Sequence, residues 1–269
     1  MKLEGARILL TGAAGGIGME VARTLSAGGA SLALLGRDRE RLEGLADSLR
    51  KDSRQVLTQA VDLLDAEARN AAVAHVNEQF GGVDVLINNA GMASFRPFTE
   101  EQPEVIEQIH QLNTLVPMQL TRQLLPDMIR RGSGRIVNVG STFGSIAFAW
   151  FAAYSASKFA LRGFSEALRR ELQGTGVDVA YIAPRAVRTR FNTSAVYRMA
   201  EAVKMNMDEP DWVAKRIADS IRKDRKEVYL GFPESLFVRV NALLPRLVDG
   251  AMRKQNAKMM EFAKQGGRP

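Results

Sequence analysis

A short apolar run, Ala6 to Thr11 (A-R-I-L-L-T), breaks into Gly12-Ala13-Ala14-Gly15-Gly16-Ile17-Gly18 and then into a helical pattern from Met19 to Ala27. No other stretch restricts the fold as strongly. A buried strand that ends in a glycine loop and re-enters as a helix brings backbone close to whatever lies over the loop. The helix N-terminus adds unpaired N–H groups and a partial positive charge, and both suit a phosphate. A glycine-rich tight turn with no ligand would share the glycines. The strand–loop–helix context favours a dinucleotide phosphate site around Gly12, Ala14, Gly15, Gly16, Ile17 and Gly18.

The alternation continues along the chain. Further strand patterns run from Ser31 to Gly36, Gln55 to Val61, Val83 to Ile87, Arg135 to Gly140, Val177 to Ile182 and Glu227 to Leu230. Helical patterns fill the gaps: Arg39 to Leu49 behind an Asp38 cap, Ala66 to Phe80, and one long helix from Glu104 to Arg130 with Asn113 inside and a kink at Pro117. Another opens in the stretch after Ser141 and continues to Gln173. One more spans Pro210 to Lys223. Strands alternating with helices predict an α/β single-domain Rossmann fold, a doubly wound parallel sheet of about seven strands. Residues 1–232 are expected to form this dinucleotide-binding and catalytic domain. Residues 233–269 read as an amphipathic, basic helical C-terminal extension of the same domain, divided in two by Pro245. Such a segment packs on the domain or a second subunit, roofs an apolar site, or lies on a membrane.

At 269 residues and 46% hydrophobic content the chain can bury one large core, and no linker or repeat divides it. It contains no cysteine, which excludes disulfides, thiolate metal sites and a Cys nucleophile; no metal is expected, and a reducing cytoplasm fits. No signal-peptide pattern opens the sequence, and no apolar run approaches the ~20 residues of a membrane span. Net charge is +7, of which +4 falls in residues 231–269. A basic tail can meet nucleic acid, an anionic membrane or an acidic partner, or simply be a solvated surface. With no recognition motif and no basic–aromatic stripe, nucleic acid is not expected as a partner.

The chemistry gathers between Ser141 and Lys158 (S-T-F-G-S-I-A-F-A-W-F-A-A-Y-S-A-S-K). Tyr154 and Lys158 are four apart and so share one helix face. A phenol titrates near ~10, and a fixed ammonium beside it draws that value down toward the working range. Ser141, at the mouth of the preceding strand, can donate to an oxygen that gains charge. Tyr-x-x-x-Lys alone usually means a packed tyrosine beside a solvated lysine; its company here raises its weight. Arg37 follows the second strand, where an acid would hydrogen-bond a ribose 2′-hydroxyl. A guanidinium suits a 2′-phosphate instead, pointing to NADP(H) over NAD(H), although Asp38 leaves room for NAD. The Met-rich stretch from Arg190 to Met207 is either core or a substrate lid. Phe95, Phe98, Phe143, Phe148, Trp150, Phe151, Phe191 and Tyr197 suggest a mainly apolar substrate.

Taken in order, these residues resemble the short-chain dehydrogenase/reductase family over roughly residues 5–232, in its NADP-preferring type. Thr11-Gly12-x-x-x-Gly16-x-Gly18 is similar to the family's cofactor loop, Asp62 to its adenine-contacting acid (with Leu63 beside it), and Asn88-Asn89-Ala90-Gly91 to its strand-four motif. Asn113, Ser141, Tyr154 and Lys158 match its catalytic tetrad. The resemblance implies hydride transfer between NADP(H) and a carbonyl or alcohol substrate, with Tyr154 moving the proton and Ser141 polarising the carbonyl. Lys158 would hold the nicotinamide ribose, and Asn113 would fix a relay water. Asn89, Ala90, Gly91, Pro184, Val187 and Thr189 would complete the cofactor site, and a homodimer or homotetramer is implied. Pro184-Arg185 stands where the family usually has Pro-Gly, and Arg185 is expected to place a cation near the substrate mouth. A cofactor-sensing or partner-binding protein without turnover is the alternative on the same fold, and peripheral membrane contact through the extension is a variant.

Overall fold

In this computed structural model residues 1–53 and 55–265 are described. Residues 266–269 of the extension, Arg268 among them, lie outside the described residues. Seven parallel strands form the main sheet: β1 (Arg7–Thr11), β2 (Ser31–Gly36), β3 (Val56–Ala60), β4 (Val85–Asn88), β5 (Gly134–Val139), β6 (Val177–Ala183) and β9 (Glu227–Tyr229). A two-stranded ribbon, β7 (Ala186–Val187) with β8 (Met207–Asp208), stands apart. Side chains alternate across each strand. Ile8 and Leu10 join Leu32, Leu34, Val85 and Ile87 on one face, while Leu9 joins Ala33, Leu35 and Leu86 on the other. Both faces are apolar because both are covered, as in parallel sheets generally. Val21, Leu25, Leu42, Leu45, Val213 and Ile217 come from α1 (Gly16–Ser26), α2 (Arg39–Leu49) and α8 (Pro210–Arg222) on the first face. On the second, α3 (Ala66–Phe80), α5 (Val116–Arg131) and α6 (Ala152–Glu171) contribute Val73, Val76, Leu120, Leu124 and Leu168.

The sheet order is β3-β2-β1-β4-β5-β6-β9. The chain winds outward from β1 to β3, then returns past β1 to β4 and winds the other way. That reversal leaves a crevice at the carboxyl ends of β1 and β4, where ligands of such sheets sit. Two glycines make the packing there possible. Gly12 has φ +65°, and a Cβ on it would meet the Ala90 backbone at 2.8 Å. A Cβ on Gly18 would collide with the Gly12 carbonyl, so α1 can lie against β1 only without one.

Two helix expectations are corrected. The long helix over 104–130 is interrupted: α4 (Pro103–His110) passes through a π-turn, Gln111–Leu115, into α5. The irregularity therefore centres on Asn113 rather than kinking at Pro117. Its cause is nevertheless the proline, whose missing N–H leaves the Asn113 carbonyl without an i+4 donor. The stretch after Ser141 does not open directly as a helix. It forms a 3₁₀ turn, Thr142–Gly144, then a loop in which Trp150 has φ +71°, and α6 begins at Ala152 and ends at Glu171. The Met-rich stretch holds α7 (Ser194–Ala202), capped by the Thr193 side chain, with Met199 fully buried.

The extension forms α9 (Glu234–Leu243) and α10 (Pro245–Ala263), parted at Leu244–Pro245 as expected. α10 packs against α7 and α9. The Trp150 indole donates to the Asn256 carbonyl at 3.1 Å, and Asn241 donates to the Ser145 carbonyl at 2.9 Å. Arg185 supplies the third tie. Its guanidinium reaches Asp208 at 2.8 Å, Glu234 at 2.8 Å and the Phe232 carbonyl at 3.2 Å. Both carboxylates raise its pKa, and two counter-charges neutralise it, so it offers no free cation to a substrate. No described helix is long and apolar enough to cross a membrane. Replacing Arg185 with Gly leaves the nearly buried Asp208 without its counter-charge and should cost about 3 kcal/mol in a denaturant titration. Adding Asp208→Asn should recover part of that loss; an unchanged midpoint in Arg185→Gly would show that the clamp does not hold the extension.

Candidate active site

A cleft of about 1210 Å³ runs along the carboxyl edge of the sheet. Every expected cofactor residue lines it: Gly12, Ala14, Gly15, Gly16, Ile17, Gly18, Arg37, Asp62, Leu63, Asn89, Ala90, Gly91, Tyr154, Lys158, Pro184, Val187 and Thr189. Ser141 lines it as well, whereas Asn113 does not. The glycine loop is fastened to the neighbouring strand end. Thr11 Oγ1 accepts from the Asn89 and Ala90 N–H groups, and the Asn89 amide donates to the Thr11 and Gly12 carbonyls. Asn89 thus builds the loop as well as bordering the cleft. Beneath it, Asn88 donates to Asn138, which donates to Ser165.

At the β2 end, Arg37 is exposed and pairs with no acid among the described residues. Asp38 is spent on its helix: its carboxylate accepts from the Arg41 N–H at 3.0 Å, as the capping pattern predicts. Arg41 lines the cleft beside Arg37 and went unnoticed in the sequence, where it reads as an ordinary helix residue. Its one-turn distance from the strand end was the available signal.

At the other end, Ser141 sits in extended backbone with its hydroxyl accepting from the Phe143 N–H at 3.1 Å. Tyr181, also unforeseen, holds it from below: its hydroxyl donates to the Ser141 carbonyl at 3.0 Å. Tyr154 packs edge-on against Phe143 and Phe151, and Phe191 lies 6.2 Å away, centroid to centroid. Lys158 is buried; its ammonium lies 5.8 Å from the Tyr154 ring centroid and donates to the Val139 carbonyl at 3.1 Å. Burial pushes the Tyr154 phenol up to about 12 against the hydrogen bond from Ser141, and pushes Lys158 down to about 8. The downward shift expected from Lys158 is therefore not seen in the free protein, where desolvation sets the phenol's state.

Asn113 is fully buried behind this wall. Its side chain accepts from the Met92 N–H and donates to the Met92 carbonyl and the Ser157 hydroxyl, each at 2.9 Å. Both amide N–H groups are spent on these partners, and the amide oxygen is turned to the Met92 N–H rather than into the cleft. Pro117 has no N–H to give its main-chain carbonyl, which therefore lacks the usual i+4 donor.

The donor set fits a nicotinamide dinucleotide. Free N–H groups at the start of α1, an unpaired Arg37 and a buried ammonium with one carbonyl partner all call for anionic or hydroxyl oxygens. Such a cleft on such a sheet defines a Rossmann-type oxidoreductase. Residues 6–199 match the short chain dehydrogenase family model, and the chain belongs to the short-chain dehydrogenase family, whose members bind NAD(P)(H). It is 34% identical over 270 residues to dehydrogenase/reductase SDR family member 7B of Bos taurus, covering 94% of this chain and 83% of that one. It is 32% identical to the ketoacyl reductase HetN of a Nostoc species over 93% of this chain and 89% of that one. Among solved structures it resembles a short-chain dehydrogenase from Streptomyces avermitilis with a TM-score of 0.80, 29% identity and coverage of 93% and 97%. An alcohol dehydrogenase from Thermococcus sibiricus complexed with 5-hydroxy-NADP matches with a TM-score of 0.74, 26% identity and coverage of 84% and 95%.

The buried ammonium has a signature in stability. Between about pH 8 and 10.5 the unfolded chain holds a proton on Lys158 that the folded chain has released, so raising the pH favours the folded form. The wild-type protein should therefore gain on Lys158→Met in melting temperature as pH rises from about 7 to 10. A constant gap would place the lysine in a solvated setting.

Proposed function

We propose that this chain transfers a hydride between NADP(H) and a carbonyl/alcohol pair on a mainly apolar substrate. The observation that carries the reading is one cleft with the glycine loop and Arg37 at one end and Ser141, Tyr154 and Lys158 on the opposite wall. The α1 N-terminus would hold the pyrophosphate, and Arg37 with Arg41 the 2′-phosphate. Asp62 and Leu63 would border the adenine. Lys158 would take the nicotinamide-ribose hydroxyls, with Pro184, Val187 and Thr189 beside the nicotinamide. The dinucleotide supplies or accepts the hydride when bound.

Ser141 donates a hydrogen bond to the substrate oxygen, and Tyr154 gives it a proton in reduction or removes one in oxidation. A phenol held protonated by burial is ready as the acid. The ammonium of Lys158 compensates the phenolate left behind. The Asn113 carbonyl offers a water site from which that phenolate is reprotonated. Substrate class follows from the walls: Phe95, Phe143, Phe151, Phe191, Val196 and Met199 line the cleft beside Tyr154. The ketoacyl reductase among the relatives and the bound NADP analogue of the Thermococcus sibiricus structure are consistent with reduction of an acyl-type ketone by NADPH. An apolar groove between α5 and α6, with Met118, Leu125, Ile129 and Phe164, supports a homo-oligomer.

Consumption of NADPH should exceed that of NADH over a panel of ketones graded in size and apolarity. Tyr154→Phe should lose at least about 100-fold in turnover while still binding NADPH; undiminished turnover would remove Tyr154 from the mechanism. Arg37→Ala with Arg41→Ala should weaken NADPH far more than NADH. A uniform loss would refute the 2′-phosphate assignment.

A further inference from the structure

The helices beyond the sheet leave an apolar surface bare. Phe232 is 74% exposed, Leu243 80% and Leu247 62%, and Leu236, Phe237 and Leu244 are exposed beside them. Only Val238 of α9 is buried, and on α10 the buried residues are Met259 and Ala263, near its far end. The first half of α10 therefore faces away from the core. The same segment carries Arg239, Arg246, Arg253 and Lys254, all exposed. None of the four has an ion-pair partner among the described residues. Of the acids nearby, Glu234 is consumed by Arg185 and Asn206, leaving Asp249.

We infer that α9 and the first half of α10 dock on the surface of an anionic lipid bilayer. Apolar side chains would enter the headgroup–acyl boundary while the flanking cations meet lipid phosphates, the pattern of an interfacial helix. Charge favours this occupant over a second copy of the chain. A two-fold pairing through this face is self-complementary and would set the arginines of one copy near those of the other. The inference is independent of the reductase reading, since none of these side chains touches Ser141, Tyr154 or Lys158.

The test is flotation of the full chain with phosphatidylcholine vesicles and with phosphatidylcholine–phosphatidylglycerol vesicles. The protein should float with the anionic vesicles, remain behind with the neutral ones, and dissociate as salt is raised. Leu243→Glu with Leu247→Glu should abolish flotation. Arg239→Glu with Arg246→Glu should weaken it more than about ten-fold. All four positions are exposed, and an unchanged melting temperature in either variant shows the fold intact. Failure to float with anionic vesicles overturns the inference, as does flotation that neither pair of substitutions reduces. A dimer in solution that Leu243→Glu dissolves would give the face to a second copy instead.

Discussion

Every strand of a parallel sheet delivers its chain to the same edge, and here that constraint organises the whole molecule. Because β1 lies between β2 and β4, the connections leaving β1 and β4 diverge, and a crevice opens between them. Its floor must be held together without side chains that would fill it. Thr11 does so with one hydroxyl that accepts two backbone N–H groups from the end of β4, while Asn89 returns two bonds to the end of β1. The polar groups are turned sideways into the floor, and the loop above it presents glycine and alanine to the cleft.

The opposite wall holds a buried cation. An ammonium taken out of water is disfavoured, and Lys158 has one carbonyl and the Tyr154 ring in place of a carboxylate. A stable fold tolerates this because the surrounding structure is over-determined. Asn113 joins the loop after β4 to α6, Thr114 bonds the Ser157 carbonyl, and Tyr181 fixes Ser141 from the strand beneath. Those buried polar groups are bonded to one another and to nearby backbone. The groups facing the cleft are left under-used, and that imbalance between a satisfied support and an unsatisfied surface is what a preorganised site looks like.

Much of this was legible in the sequence because the signals were local. Strand periodicity, the glycine loop and the Asp38 cap depend on near neighbours, and the seven strands fell within one or two residues of their expected bounds. What was not legible depends on partners far along the chain. Asn113 reads as a polar residue in a helix; its role is set by Met92 and Ser157, 21 and 44 residues away. The π-turn is not visible either: Pro117 marks the Asn113 carbonyl as the one without its donor, but whether the helix kinks or widens there is set by packing. The pKa of Tyr154 goes the other way for a different reason: the spacing to Lys158 is visible in the sequence, but how completely the folded chain buries the phenol is not.

Arg185 shows how one departure from a family pattern can redirect two regions at once. A glycine there could not reach Asp208 or Glu234, and the arginine binds both. It thereby anchors the end of β6 and the β7–β8 ribbon to the first turn of α9. The same bond removes the Glu234 charge from the surface of the extension. Net charge read from the sequence consequently understates how basic the exposed face is, because one of its few acids is neutralised from within. The cation expected at the substrate mouth thus acts at a distance: it holds the extension in place and leaves the outward arginines unopposed.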